Sequence, residues 1–173
     1  MLYHFSENPG IDMFVPREQP ARIGFPPVVW AIDDEHQITY YFPRNCPRIV
    51  YRRSAGISAG DERNFFGFTG AHTVVTVEAG WYEAIKGCTL YRYALPEAGF
   101  ACFDRSAGYY ISRETVRPVD VEPVNGLIER ILETGAELRF TPDLHPLRNA
   151  ILSSTVKDFG IYRFRFAKEP GEG

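Results

Sequence analysis

The chain has 173 residues, a formal net charge of −3 and a sequence pI of about 5.8. It is long enough to bury a substantial core, and too acidic overall to be an electrostatic trap for nucleic acid. Hydrophobic residues make up 45% and aromatic residues 14%, which excludes a disordered chain and predicts a ring-rich core.

Leu2 to Phe5 reads as a first strand, and Asn8-Pro9-Gly10 then turns the chain. Pro16 to Pro27, with Pro20 and Pro26 inside it, reads as an irregular loop. Val28 to Ile32 is a continuous apolar run, the pattern of a buried strand. Asp33-Asp34-Glu35 either caps a short helix or forms a turn that leads to Tyr40 and Phe42. Arg48 to Arg53 reads as a strand, and the small and polar residues of Ser54 to Asn64 as a mobile loop. His72 to Glu78 is threonine- and valine-rich and reads as a strand. Trp81 to Lys86 fits one or two helical turns ended by Gly87.

Thr89 to Leu95 alternates as a strand, with Tyr91, Tyr93 and Leu95 on one face. Gly99 to Phe103 and Tyr109 to Ile111 form a predicted hairpin around Asp104 to Gly108. Pro118 and Pro123 place Val116 to Val124 at a sheet margin. The spacing of Leu127, Ile128, Ile131 and Leu132 predicts a helix over 125–134, with Asn125 as N-cap and Gly135 as stop. Ala136 to Phe140 reads as a short strand and Pro146 to Ser153 as a second helix. Gly160 to Phe166 reads as a terminal strand, and Lys168 to Gly173 as a frayed tail. Strands outnumber helices without βαβ alternation. The expected fold is α+β, a mainly antiparallel sheet with a few helices, in one globular domain over 1–167.

No apolar run reaches bilayer length, and His4, Glu7 and Asp12 interrupt the start where a signal peptide needs an apolar stretch. Cys46, Cys88 and Cys102 form no CxxC, and their odd number fits reduced thiols. A cytoplasmic protein that avoids membranes is expected.

Chemistry-bearing residues gather near the start. His4 is either a ligand-orienting histidine or a core histidine bonded to backbone, with Ser6 and Glu7 beside it. Trp30 reads as core, or as a flat ring lining a nucleotide pocket, and Asp33 as a functional carboxylate or a helix cap. Phe42-Pro43-Arg44-Asn45-Cys46-Pro47-Arg48 is a stiff bend that displays Arg44 and Arg48 as phosphate-holding candidates, or a plain corner. Cys46 with His36 or His4 as base is a possible nucleophile. His4, His36, Cys46 and His72 match no zinc spacing, so no metal is expected. Glu114 and Glu137 are the later carboxylates of interest. GxGxxG, P-loop, GxSxG and HExxH motifs are absent.

The segments Leu2-Tyr3-His4-Phe5-Ser6-Glu7, Val29-Trp30-Ala31-Ile32-Asp33 and Phe42-Pro43-Arg44-Asn45-Cys46-Pro47-Arg48 resemble an uncharacterised family of small bacterial proteins. A strand-borne Tyr-His, a tyrosine after a second strand and a late glutamate also resemble ADP-ribosyltransferase-like domains. That resemblance implies that His4 holds the ribose of NAD as substrate, with Ser6 as the hydroxyl residue two places on. Phe5 departs from the small residue expected between them. Tyr41, or its neighbour Tyr40, would stack on nicotinamide, and Glu137, with Glu114 in reserve, would be the catalytic carboxylate. Arg44 and Arg48 would hold phosphate oxygens. The expectations are an enzyme acting on a nucleotide, a non-catalytic small-ligand or RNA-end module, or a protein-interaction domain. The substrate, acceptor and oligomeric state are left open.

Overall fold

Alternating β-branched and aromatic residues give two sheets, and the described residues also form four α-helices. The computed structural model describes residues 1–19 and 22–170. Pro20 of the expected loop and positions 171–173 of the expected tail lie outside the described residues. In chain order the elements are β1 (Leu2–Ser6), β2 (Val29–Ile32), β3 (Arg48–Arg52), α1 (Ala59–Phe66), β4 (Thr73–Glu78), α2 (Tyr82–Gly87), β5 (Leu90–Leu95), β6 (Ala101–Asp104), β7 (Tyr109–Ser112), β8 (Asp120–Val124), α3 (Leu127–Glu133), β9 (Glu137–Thr141), α4 (His145–Leu152) and β10 (Phe159–Tyr162). The fold is α+β, as the order of elements implied.

The chain divides into two compact units, residues 1–41 with 89–125, and residues 42–88 with 126–173. The first holds a six-stranded antiparallel sheet in the order β6-β7-β2-β1-β5-β8. β1 is central, and His4 lies opposite Tyr93. Leu2, Val29, Ala31, Tyr93 and Leu95 form the core together with Phe14 and Val116. Those last two residues exchange backbone hydrogen bonds of 2.8 and 2.9 Å. β8 is an edge strand, where Pro123 costs no ladder bond on its open side.

The second unit holds a four-stranded sheet in the order β10-β3-β4-β9, with β4 and β9 parallel. Every residue of β3 is buried. Ile49, Tyr51, Phe65, Phe66, Val74, Leu144, Ile151 and Val156 form its core.

Three local expectations change. The loop expected over 54–64 contains most of α1. Ser58 caps this helix by accepting from Asp61 N–H, and Phe65 and Phe66 anchor its end against the Tyr51 ring. Arg53 then ties down the helix terminus by donating to the Phe66 and Thr69 carbonyls at 3.2 and 2.8 Å. Asn125 stands one residue before the N-cap of α3. Its Oδ1 accepts from the Thr89 hydroxyl, and Gly126, at φ 63°, takes the cap position. The terminal strand stops at Tyr162, because Arg163 turns to φ 53° and Phe164–Phe166 form a single tight helical turn.

Among the described residues no helix is long and apolar enough to cross a membrane.

Candidate functional site

His4 is half-buried on the central strand of the first unit, so it is not sealed in the core. Its Nδ1 lies 3.1 Å from the Trp30 carbonyl oxygen, and its ring rests on Phe14 at a centroid distance of 4.6 Å. A carbonyl only accepts. Nδ1 therefore carries the hydrogen of this contact. His4 bonds to backbone, as one of its two expected readings has it, and that bond orients its ring. Ser6, two residues on, closes a turn. Its Oγ accepts from Asn8 N–H at 3.1 Å, and Asn8 Oδ1 in turn accepts from Gly10 N–H at 2.9 Å.

The two tyrosines after β2 differ in environment. Tyr41 is only 6% exposed and meets Phe5 edge-on, with ring centroids 5.6 Å apart. A ring so enclosed has no open face for a flat ligand. Tyr40 is half-buried, lies nearly parallel to Phe5 at 6.3 Å and donates from its hydroxyl to Tyr109 Oη at 3.0 Å. The partly exposed ring at this point is Tyr40.

Asp33 and His36 pair at the corner after β2. Asp33 Oδ1 lies 2.7 Å from His36 Nδ1, which orients the imidazole as a carboxylate orients a catalytic histidine. Asp104 belongs to the neighbouring hairpin tip. Hydrogen bonds from the Ser106 hydroxyl and Ala107 N–H, with a smaller contribution from His36, hold its carboxyl below the usual range.

Arg44, Arg48 and Glu137 belong to the second unit. Arg44 is exposed on the proline-flanked bend. Arg48 is not displayed there: it is 4% exposed, donates from Nη1 to the Cys46 carbonyl at 2.9 Å, and lies between the rings of Phe42 and Tyr162 at 5.0 and 4.9 Å. Its long stem and flat head pack as core.

Cys46 is fully buried, and desolvation pushes its thiol up to about 12 despite the opposing pull of Arg48. It is a neutral thiol, and a nucleophile would need the thiolate. Glu137 opens β9. Hydrogen bonds from Thr69 and Arg139 hold its carboxyl below the usual range, so it is ionised at neutral pH. Arg139 Nη1 also donates to Tyr51 Oη at 3.0 Å. Among the described residues no group of three or more His, Cys, Asp and Glu is arranged to hold a metal ion.

The sequence singles out Trp30, as core or as a ring lining a pocket, but not Arg22, Phe25 or Phe103. In the structure these four are in contact. Arg22, Phe25 and Trp30 are close in the chain, but Phe103 comes from a distant hairpin, and no local pattern announces it.

No curated protein and no solved structure matches the chain. The model of a family of unknown function, DUF6886, matches residues 3–167, and the chain belongs to that family.

Proposed function

We propose that the first unit binds an NAD-like nucleotide beside β1, in the manner of the ADP-ribosyltransferase-like domains that the sequence resembles. The observation that supports this most is the His4–Trp30 contact. It fixes the ring orientation of a half-buried histidine on the central strand, as a residue that positions a ribose requires. Tyr40 rather than Tyr41 is the ring for a flat base, because it is the one not enclosed. The resemblance gives Glu137 the role of catalytic carboxylate; that residue belongs to the second unit, where hydrogen bonds from Thr69 and Arg139 hold its carboxyl below the usual range.

Thermal unfolding with and without NAD tests the reading. NAD at millimolar concentration is expected to raise the melting temperature, and His4→Gln to abolish the increase. An unchanged melting temperature in wild type sinks the nucleotide reading. Nicotinamide release, lost in Glu137→Gln, tests transfer separately from binding.

A non-catalytic RNA-end module is the second reading. It rests on Arg44, exposed on a bend stiffened by Pro43 and Pro47. Salt-sensitive RNA binding that Arg44→Ala removes would favour it.

A further inference from the structure

In the first unit, three aromatic rings converge on one cation. Trp30 comes from β2, Phe103 from β6 and Phe25 from the loop that enters β2. Trp30 and Phe103 stand 5.1 Å apart at 79°, and Phe25 and Phe103 stand 5.4 Å apart at 82°. Phe25 and Trp30 complete the set at 5.8 Å and 31°. The guanidinium carbon of Arg22 lies 5.1 Å from the Trp30 ring, 5.2 Å from Phe103 and 5.8 Å from Phe25. All three distances fall within the roughly 6 Å over which a ring quadrupole attracts a cation.

Two details separate this arrangement from ordinary core packing. Phe103 sits at a β-bulge: the pairing of β6 with β7 shifts register between Cys102 and Asp104. A bulge re-aims the side chain it carries, and here that side chain meets Trp30 across the sheet face. The other detail is the weak anchoring of Arg22. Among the described residues its guanidinium has no hydrogen-bond or ion-pair partner, and the three rings are its contacts there. Arg22 is itself exposed, Phe103 is 37% exposed, and Ile23 next to Arg22 is fully exposed. The occupant therefore sits on a solvent-facing turn, closed by Phe25 N–H donating to the Arg22 carbonyl at 3.0 Å.

We infer that Phe25, Trp30 and Phe103 form a binding cage for a soft organic cation of the guanidinium or methylated-ammonium class, with Arg22 as its internal occupant. These cations are weakly hydrated, so ring faces compensate their desolvation, whereas sodium or a primary ammonium holds its water more strongly. Among the described residues no carboxylate pairs with Arg22, which favours recognition by ring faces over recognition by charge pairing. Arg22 acts as an intramolecular competitor and lowers the apparent affinity by the fraction of molecules in which it covers the rings. The inference does not depend on the reading of His4.

Trp30 emission is the direct probe. The chain has two tryptophans, so Trp81→Phe leaves Trp30 as the single reporter. In that background, Arg22→Ala is titrated with choline and with methylguanidinium at constant ionic strength. The neutral carbon isostere of choline is the control. A saturable change with the cations and none with the isostere is expected, about tenfold weaker when Arg22 is present. Phe103→Leu in the Arg22→Ala chain is expected to abolish it. A peptide carrying trimethyl-lysine separates the sources: tighter binding than choline assigns the cage to a protein side chain, and equal or weaker binding to a free small cation. If neither free cation gives a saturable change in Arg22→Ala, or if the neutral isostere matches them, the cage is structural packing and the inference fails.

Discussion

Asp33 accepts two hydrogen bonds from His36 through one oxygen, from the backbone N–H at 2.9 Å and from ring Nδ1 at 2.7 Å. Gly108 closes this corner from the hairpin. Its carbonyl accepts from Asp33 N–H at 3.0 Å, and its φ is 72°. A Cβ there would stand 2.5 Å from His36 Nδ1 and 2.6 Å from Asp33 Oδ1. Gly108→Ala thus combines backbone strain with a clash against a buried ring. Urea unfolding is expected to show a loss of about 2–3 kcal/mol. A loss below about 0.5 kcal/mol, the size of an ordinary surface substitution, would mean that the corner yields.

Arg48 is expected to act as a core residue. Arg48→Met keeps much of the stem but leaves the Cys46 carbonyl without its donor and removes the flat head from between Phe42 and Tyr162. Destabilisation of about 2–4 kcal/mol is expected by urea unfolding. Arg48→Lys should recover only part of this, because a point charge does not reproduce a planar guanidinium. Full recovery by lysine would contradict the stacked geometry.

Cys46 should resist alkylation in the native state at neutral pH while exposed Cys102 reacts, as read by mass spectrometry of iodoacetamide-treated protein. The same burial has a stability signature. The thiol titrates at about 12 in the folded chain against an ordinary 9.0, so the folded state binds the extra proton between these values. Its contribution is intact below about pH 9 and is lost as pH rises toward 12. Cys46→Ala should flatten that part of the alkaline limb, and an unchanged slope would argue against the buried neutral thiol.

Asp61 sets the opposite limb. Its Oδ2 accepts from the Thr155 hydroxyl at 2.6 Å, from Thr155 N–H at 2.8 Å and from the Ser58 hydroxyl at 3.1 Å, which holds its carboxyl below the ordinary 3.8. A depressed folded value means stability that is present above the ordinary carboxylate range and lost as pH falls through the folded value. Asp104 and Glu137 act in the same direction. Asp61→Asn is expected to lower the melting temperature at pH 7 and to make it less steep in pH below about 4. An acid limb as steep as that of wild type would remove Asp61 from this account.

Much of the architecture was legible because it is local. The turn at Asn8-Pro9-Gly10 closes through Ser6 and Asn8 side chains one or two residues away. The alternation of Tyr91, Tyr93 and Leu95 and the prolines near β8 each followed from backbone geometry that a short window reveals. The α1 segment was misread because its anchors, Phe65 and Phe66, lie at its far end and gain their energy from Tyr51 on another element.

By itself the sequence determined an α+β chain and most of its strand positions, since two-residue alternation, capping and turn chemistry act over a few positions. Exposure was decided only by the tertiary structure. Arg48 became core because Tyr162 covers it, Cys46 became an unreactive thiol because burial outweighs the nearby arginine, and Trp30 gained a ring neighbour because Phe103 meets it from a bulged strand. In each case the deciding partner or surrounding is set by packing across the fold, and no short window of sequence contains it.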